Sequence, residues 1–353
     1  MTFYINSTQA ISPQDTFLKN EFPGELNNYN GIMQLVLPDF KNYFKPIDLR
    51  RMSRIIKTGT TTAIECLKEA GIEKPDAIIT GTGLGCLEDT ESFLNKMIDN
   101  NEGLLTPTTF IQSTHNTIGG HIALTVKCNE YNVAYVHKTI SFETALLDAT
   151  LLLKEGKAND VLIGGIDEMT QENYELKKNI DLWKKEPFNS IDIYNSGTNG
   201  CVPGQGAAFF VVSNERSKDS YAQVKMTEIV HRVKDNIQLQ EIIKNRINEV
   251  GFSVEDIDLV LFGYNGDKNA DTYYDSLKDS VFKDCGHAYY KHYCGEYDTA
   301  PAFAMWMAAK IIKSQYIPEN ILIRKANNKP PKNILIYNQD NNKNHAFVLL
   351  SAC

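Results

Sequence analysis

The segment richest in reactive groups is Tyr290–Tyr297, YKHYCGEY, which sets Lys291, His292, Cys294 and Glu296 within six residues of one another. A thiol, an imidazole and a carboxylate are the parts of a nucleophilic trio, in which the acid orients the base and the base takes the thiol proton. Close neighbours in sequence rarely converge, however. Residues two apart point to opposite faces of a strand or far apart around a helix, so His292 and Cys294 would meet only on a loop. Buried cysteine is also more often a small inert hydrophobe. Cys294 therefore stands as the alternative nucleophile of the chain. The other cysteines, Cys66, Cys86, Cys128, Cys201, Cys285 and Cys353, are scattered with no C-x-x-C pair. That pattern reads as reduced thiols and points to no metal or other cofactor. His115 and His121, in STHNTIGGHIAL, read as satisfying local backbone groups.

Two glycine-rich turns, GTGLG at Gly81–Gly85 and GGIDE at Gly164–Glu168, each follow a short apolar run. A dinucleotide fingerprint needs a third glycine leading into the helix. Here Cys86 and Leu87 stand in that region, so the glycines read as tight turns instead. A run of cations, Lys41, Lys45, Arg50, Arg51, Arg54 and Lys57, stands out in a chain of net charge −8. Arg50, Arg51, Arg54 and Lys57 could attract an acidic carrier protein. The same charges also fit the solvated face of an amphipathic helix whose apolar side carries Ile47, Leu49, Met52, Ile55 and Ile56, the commoner use of such a run.

These groups must be positioned by a chain of 353 residues with 42% hydrophobic and 23% charged content, enough for one large core or two medium ones. The acidic balance argues against general nucleic-acid binding. The N-terminus lacks the basic and apolar regions of a signal peptide, and no run approaches the roughly 18 apolar residues of a membrane span, which points to the cytoplasm. Strand-length apolar runs alternate with helical patterns. Strands are expected near Thr2–Asn6, Ala77–Thr80, Val133–His137, Val161–Gly164 and Ala207–Val212, with helices near Leu49–Ala70, Asp89–Asp99, Gly119–Lys127 and Glu143–Glu155. A second series has strands near Val224–Val230, Leu259–Phe262, Ile334–Tyr337 and Ala346–Leu350, with helices near Leu239–Val250, Thr272–Val281 and Ala300–Ser314. In the last of these helices Met305, Trp306 and Met307 read as core. NNKPPK at Asn327–Lys332 reads as a surface turn, because proline cannot donate to a sheet. Two tandem series suggest an α/β duplication, with halves at 1–215 and 216–353 forming one unit.

Several blocks, in order, carry a family resemblance: RRMSRIIKTGTTTAIECLKEAGI (Arg50–Ile72), GTGLGCLEDTESFL (Gly81–Leu94), ALLDATLLLKEGKANDVLIGGIDEM (Ala145–Met169), PFN (Pro187–Asn189) and NGCVPGQGAAFFVV (Asn199–Val212). With the fainter YKHYCGEYDTAPAFAMWMAAKII (Tyr290–Ile312), the chain resembles the β-ketoacyl-ACP synthase family, most closely over Arg50–Val212. The resemblance implies the thiolase-like fold of duplicated αβαβα halves, a dimer, and a site between the halves. There a cysteine thiolate at a helix N-terminus takes the acyl chain, and two histidines stabilise the enolate of a malonyl thioester.

This chain departs from all three groups. Aligning VHKTISFETALLDA (Val136–Ala149) with the cysteine block places Thr139 at the nucleophile. The first histidine block places Asn265 before Gly266, and the second keeps Lys291 but has Glu296 for histidine. Asparagine cannot exchange a proton, and a carboxylate repels a developing enolate. The family's glycine-rich gate aligns with polar NQDNNKN at Asn338–Asn344. The pattern resembles chain-length factors, the cysteine-less subunits that pair with an active ketosynthase, among them those of aryl-polyene and flexirubin-type pigment pathways. What it implies is a partner subunit inactive alone, working with a ketosynthase α subunit or as a homodimer, and with acyl carrier protein. An active acyl-thioester enzyme using Cys294 is the alternative. The strand near Val133–His137 is the expected dimer edge.

Overall fold

Short apolar runs bounded by glycine, proline and polar turns extend into eleven strands, because only a sheet satisfies their backbone groups in the interior. The computed structural model describes residues 2–185, 188–326 and 329–353. Within these, the strands are β1 (Phe3–Ile11), β2 (Ala77–Gly81), β3 (Tyr131–Tyr135), β4 (Asp160–Asp167), β5 (Gly206–Ser213), β6 (Ala222–His231), β7 (Leu259–Phe262), β8 (Gly286–Tyr289), β9 (Leu322–Arg324), β10 (Asn333–Asp340) and β11 (Asn344–Ser351). Their order is β3-β2-β4-β5-β1-β6-β11-β10-β7-β8-β9.

The duplication is visible in the pairing. Outward from the central antiparallel β1–β6 pair, one arm runs β5, β4, β2, β3 and the other β11, β10, β7, β8. In each arm the first two pairings are antiparallel and the next two parallel. β9 adds an antiparallel edge to β8. The first arm ends with β5 at Ser213 and the second opens with β6 at Ala222.

The sheet folds over two inner helices, Ser141–Lys154 and Ala300–Ser314. One apolar cluster holds Phe142, Leu146, Phe303 and Trp306 of these helices together with Ile79, Ile163 and Phe210 of one arm and Leu261, Ile334 and Ile336 of the other. Every residue from Ala300 to Ile312 is buried, the signature of a helix apolar all round and enclosed in core. Met305, Trp306 and Met307 pack there as their sequence pattern suggests. Outer helices Arg54–Ala70 and Thr117–Val126 cover the first arm, and Asn236–Glu249 and Lys268–Lys278 the second. The result is the five-layered, thiolase-like α/β fold.

Several expectations need correction. The helix anticipated from Leu49 is broken: a short turn spans Pro46–Leu49 and the long helix starts at Arg54, after Ser53 takes an extended conformation. Ile47 is consequently 56% exposed rather than on a buried stripe. β3 starts and ends two residues earlier than anticipated, and β8 and β9 are too short to give a periodic signal. Helices Pro107–Gln112 and Gln171–Asn179 were not anticipated. The reading of PFN as a block falls partly on Pro187, and that of NNKPPK partly on Asn327 and Asn328, all outside the described residues.

Three histidines, His287, His292 and His345, are buried with their pKa values lowered, and the last two are shifted furthest. His292 has neither ring nitrogen hydrogen-bonded, and His345 shares a 2.9 Å bond between Nδ1 and Tyr337 Oη. Burial pushes their pKa values down from 6.5 to about 3 and about 4. The unfolded chain thus takes up protons at these imidazoles below pH 6.5 that the folded chain refuses, so their contribution disfavours the folded chain increasingly as pH drops from 6.5 towards 4. A His292→Phe variant should lose less of its melting temperature between pH 7 and pH 5 than the natural chain. Equal losses would mean that His292 is protonated without penalty.

Candidate functional site

Two glycines bring the backbones of the two arms into direct contact. A Cβ on Gly204 would lie 2.0 Å from the Cys294 carbonyl oxygen, and one on Gly295 would lie 2.5 Å from the Gly204 Cα. Gly295 also has φ +74°, so glycine alone suits this contact. The approach lets the Glu296 N–H donate to the Val202 carbonyl at 2.7 Å and the Gly204 N–H donate to the Glu296 carbonyl at 3.0 Å. The backbone of Glu296 is therefore fixed by the strand leading into β5.

Around Glu296 converge a loop after β7 and the helical turn Lys291–Cys294 after β8. Lys291 Nζ and Asn265 Nδ2 both donate to Glu296 Oε2, each at 2.6 Å. The Lys291 side chain is 4% exposed and that of Glu296 20%, so the carboxylate is the face this pair turns to solvent. Burial works to lower the Lys291 pKa, but the Glu296 carboxylate outweighs it and holds the ammonium above its ordinary value. Asn265 is aimed by the turn that carries it. Asp271, in the first turn of Lys268–Lys278, accepts from the Asn265 N–H at 3.0 Å and the Gly266 N–H at 2.8 Å. Burial raises the Asp271 pKa to about 7 against these two donors. The sequence reading thus named three residues, Lys291, Glu296 and Asn265, that the fold brings into one hydrogen-bonded group.

Thr139 is not tied into this group. It lies in a 3₁₀ turn before the Ser141 helix, and its hydroxyl oxygen is buried without a hydrogen-bond partner. The side chain of this segment on which the Lys291 charge acts is Glu143, in the first turn of that helix, fully buried and with Oε2 unpartnered. Burial drives its pKa up to about 8, while its own backbone N–H and the Lys291 ammonium pull the other way, so the carboxyl is protonated at neutral pH. The sequence reading missed Glu143, although one signal was present: a single acid in the first turn of an otherwise apolar run, four residues before Leu147-Asp148-Ala149.

The alternative trio is not assembled. Cys294 is buried, its thiol donates to the Gly295 carbonyl at 3.4 Å, and burial pushes its pKa well up. His292 instead lies against Tyr289 at 4.1 Å between ring centroids. Asp167, at the end of β4, accepts from Thr82 Oγ1, the Gly83 N–H, the Thr299 N–H and Thr299 Oγ1, between 2.7 and 2.9 Å, and so binds β4 to the start of the Ala300 helix. Of the basic run, Arg54 donates to the Met169 carbonyl at 3.2 Å and Lys57 lies 6.0 Å above the Phe40 ring, while Arg50 and Arg51 are exposed. The polar gate segment forms the tight β10–β11 hairpin, with Asn341 and Asn342 at positive φ.

Condensation needs a thiolate and donors aimed at a developing negative charge. Here the one ammonium is already neutralised by Glu296, the Asn265 amide is committed to the same carboxylate, and Glu143 supplies a second carboxyl. The centre is rich in acceptors.

Residues 35–187 match the family described as Beta-ketoacyl synthase, N-terminal domain. No curated protein sequence matches the chain. The ishigamide ketosynthase/chain length factor is 15% identical with TM-score 0.80, covering 100% of this chain and 99% of its own. A β-ketoacyl synthase from Burkholderia phymatum STM815 is 12% identical with TM-score 0.77, at 100% and 99% coverage. AntDE:AntF, a type II PKS acyl-carrier protein in complex with its ketosynthase bound to the hexaketide, gives 12% and 0.76, at 100% and 99%. At these identities the likeness establishes the fold.

Because Glu143 holds its proton up to about pH 8 when folded but only to about 4.5 when unfolded, its own contribution to stability is lost as pH rises through that window. Glu143→Gln keeps the shape and cannot ionise. It should melt higher than the natural chain at pH 8 and by much less at pH 5. An identical pH dependence in both would show that Glu143 is ionised in the folded chain.

Proposed function

From a β-ketoacyl synthase N-terminal domain set within a full-length ketosynthase fold, we propose that this chain is a non-condensing ketosynthase-like subunit. It pairs with a cysteine-bearing ketosynthase and helps set the length of the acyl or polyene chain that the pair builds on an acyl carrier protein. The observation that carries this reading is the closed Asn265–Glu296–Lys291 group, on which the buried Glu143 carboxyl also bears, Asn265 and Glu296 being the residues that the sequence resemblance aligns with the family's two histidines. An ammonium already paired and a neutral buried carboxyl give no nucleophile and no free oxyanion donor.

The partner surface in this reading is the open edge of β3 with the adjoining helix. Tyr131, Val136, Leu147 and Leu151 are exposed apolar residues on these neighbouring elements, and β3 ends the sheet with one side unpaired. Arg50 and Arg51 remain available for an acidic carrier, whereas Arg54 and Lys57 are engaged internally. We assign the pathway to aryl-polyene or flexirubin-type pigments on the resemblance of the sequence alone. Seven unpaired cysteines suit a reducing compartment such as the cytoplasm. No helix among the described residues is long and apolar enough to cross a membrane.

The test is to express this chain with and without a cysteine-bearing ketosynthase and to follow co-purification and malonyl-dependent elongation on the carrier. Elongation is expected only from the pair, and Tyr135→Asp should abolish co-purification by placing a charge at the edge of β3. Elongation by this chain alone that survives both Thr139→Ala and Glu143→Ala would overturn the reading. Loss of that activity in Cys294→Ala would then establish the acyl-thioester enzyme instead.

A further inference from the structure

Lys184 is a buried lysine whose hydrogen bonds go to no carboxylate. Its ammonium donates to Ser196 Oγ at 2.9 Å, Thr198 Oγ1 at 2.9 Å and the Gly266 carbonyl at 2.7 Å. A buried cation ordinarily needs a counter-ion, since its desolvation is only partly offset by neutral oxygens. Burial lowers the Lys184 pKa, while Cys201 and the carboxylates of Asp267 and Asp271, which lie near without bonding it, pull the other way. Such an arrangement persists where the three acceptors must be held together.

The acceptors lie on two loops. One is 194–201, which runs towards β5. The other is the turn after β7 that carries Asn265. Further bonds join them: Ser196 Oγ donates to the Gly266 carbonyl at 3.0 Å, the Lys268 N–H to the Thr198 carbonyl at 3.0 Å, and the Gly200 N–H to Asp267 Oδ2 at 2.7 Å. The Gly266 peptide is gripped on both sides, its N–H by Asp271 and its carbonyl by Lys184. Gly266 has φ +83°, and a Cβ there would stand 2.7 Å from the Ile193 carbonyl oxygen, so the residue that leads into the first loop presses directly on this turn. Cys201 ends the loop. Its thiol is buried, and both Glu296 and Lys291 act on its ionisation.

We propose that residues 194–201 form a strap over the Lys291–Glu296–Asn265 centre, and that Lys184 is its latch and a positioning residue for Asn265. Any ligand that reaches Lys291 past this strap has to break the three bonds of one ammonium. The Lys184 bonds also fix the Gly266 carbonyl, and with it the direction of the Asn265 amide towards Glu296. The proposal rests on reading this centre as the functional site. Its test needs neither a partner nor turnover, so its failure is separable from failure of the subunit reading.

Cys201 reports on the strap. The natural chain, Lys184→Met and the double variant Ser196→Ala/Thr198→Ala are treated with iodoacetamide under native conditions, and alkylation of each cysteine is followed by peptide mass. Exposed Cys353 calibrates the reagent, and buried Cys66, Cys86, Cys128 and Cys285 report on general loosening. Losing these hydrogen bonds should speed alkylation of Cys201 on the order of tenfold or more in both variants, with the four control cysteines unchanged. If Lys184→Met does not fold, the double variant decides alone. An unchanged Cys201 rate, or a rise shared equally by the controls, overturns the latch.

Discussion

The site depends on one buried ion pair, Lys291 with Glu296, at the contact of the two halves. Taking an ammonium out of water is tolerable only if a partner of opposite charge is held at hydrogen-bond distance, and removing one member of such a pair costs roughly 3–5 kcal/mol. The fold meets that demand with backbone. Gly204 and Gly295 allow the chains to touch, and the Glu296 peptide is then bonded to Val202 and Gly204, so the carboxylate is aimed before any side-chain interaction forms. Asn265, Asp271 and Lys184 elaborate this arrangement outward.

That pair also decides the chemistry. A free ammonium beside two neutral donors would favour negative charge developing on a substrate. Once the ammonium is committed to Glu296, and Glu296 takes the Asn265 amide as well, the centre has little left to offer an oxyanion. Glu143 adds to this, because a second carboxyl near one ammonium cannot also ionise cheaply in a dry interior and so keeps its proton. The ketosynthase-like fold here carries a centre rich in acceptors.

The duplicated sheet holds the fold together independently of the centre. Stability resides in the layers: the Ala300 helix buried on every side, the apolar cluster shared by both arms, and Asp167 bound by four donors where β4 meets that helix. None of these passes through Glu143 or Asn265. What the layers leave unsatisfied is at the edge, where β3 ends the sheet beside exposed apolar side chains of the Ser141 helix, a surface of the kind that association covers.

The sequence by itself determined the alternation of strands and helices and the duplication, because buried strands and fully apolar helices leave unbroken hydrophobic runs, and the resemblance of two of its blocks to the family's histidine blocks picked out Asn265, Lys291 and Glu296. The sequence did not determine which residue of the Val136–Ala149 segment bears on them. A shift of four residues, from Thr139 to Glu143, moves about one helical turn along the chain, and only the packing of that helix against β2 and β4 sets where its first turn begins. Cys294 and His292 share a stretch of sequence but not a site, since one thiol turns to its own neighbour's carbonyl and the imidazole lies on Tyr289. Lys184 carried no sequence signal at all. Its partners Ser196, Thr198 and Gly266 are neutral and one of them lies 82 residues away, so nothing short of tertiary structure could join them.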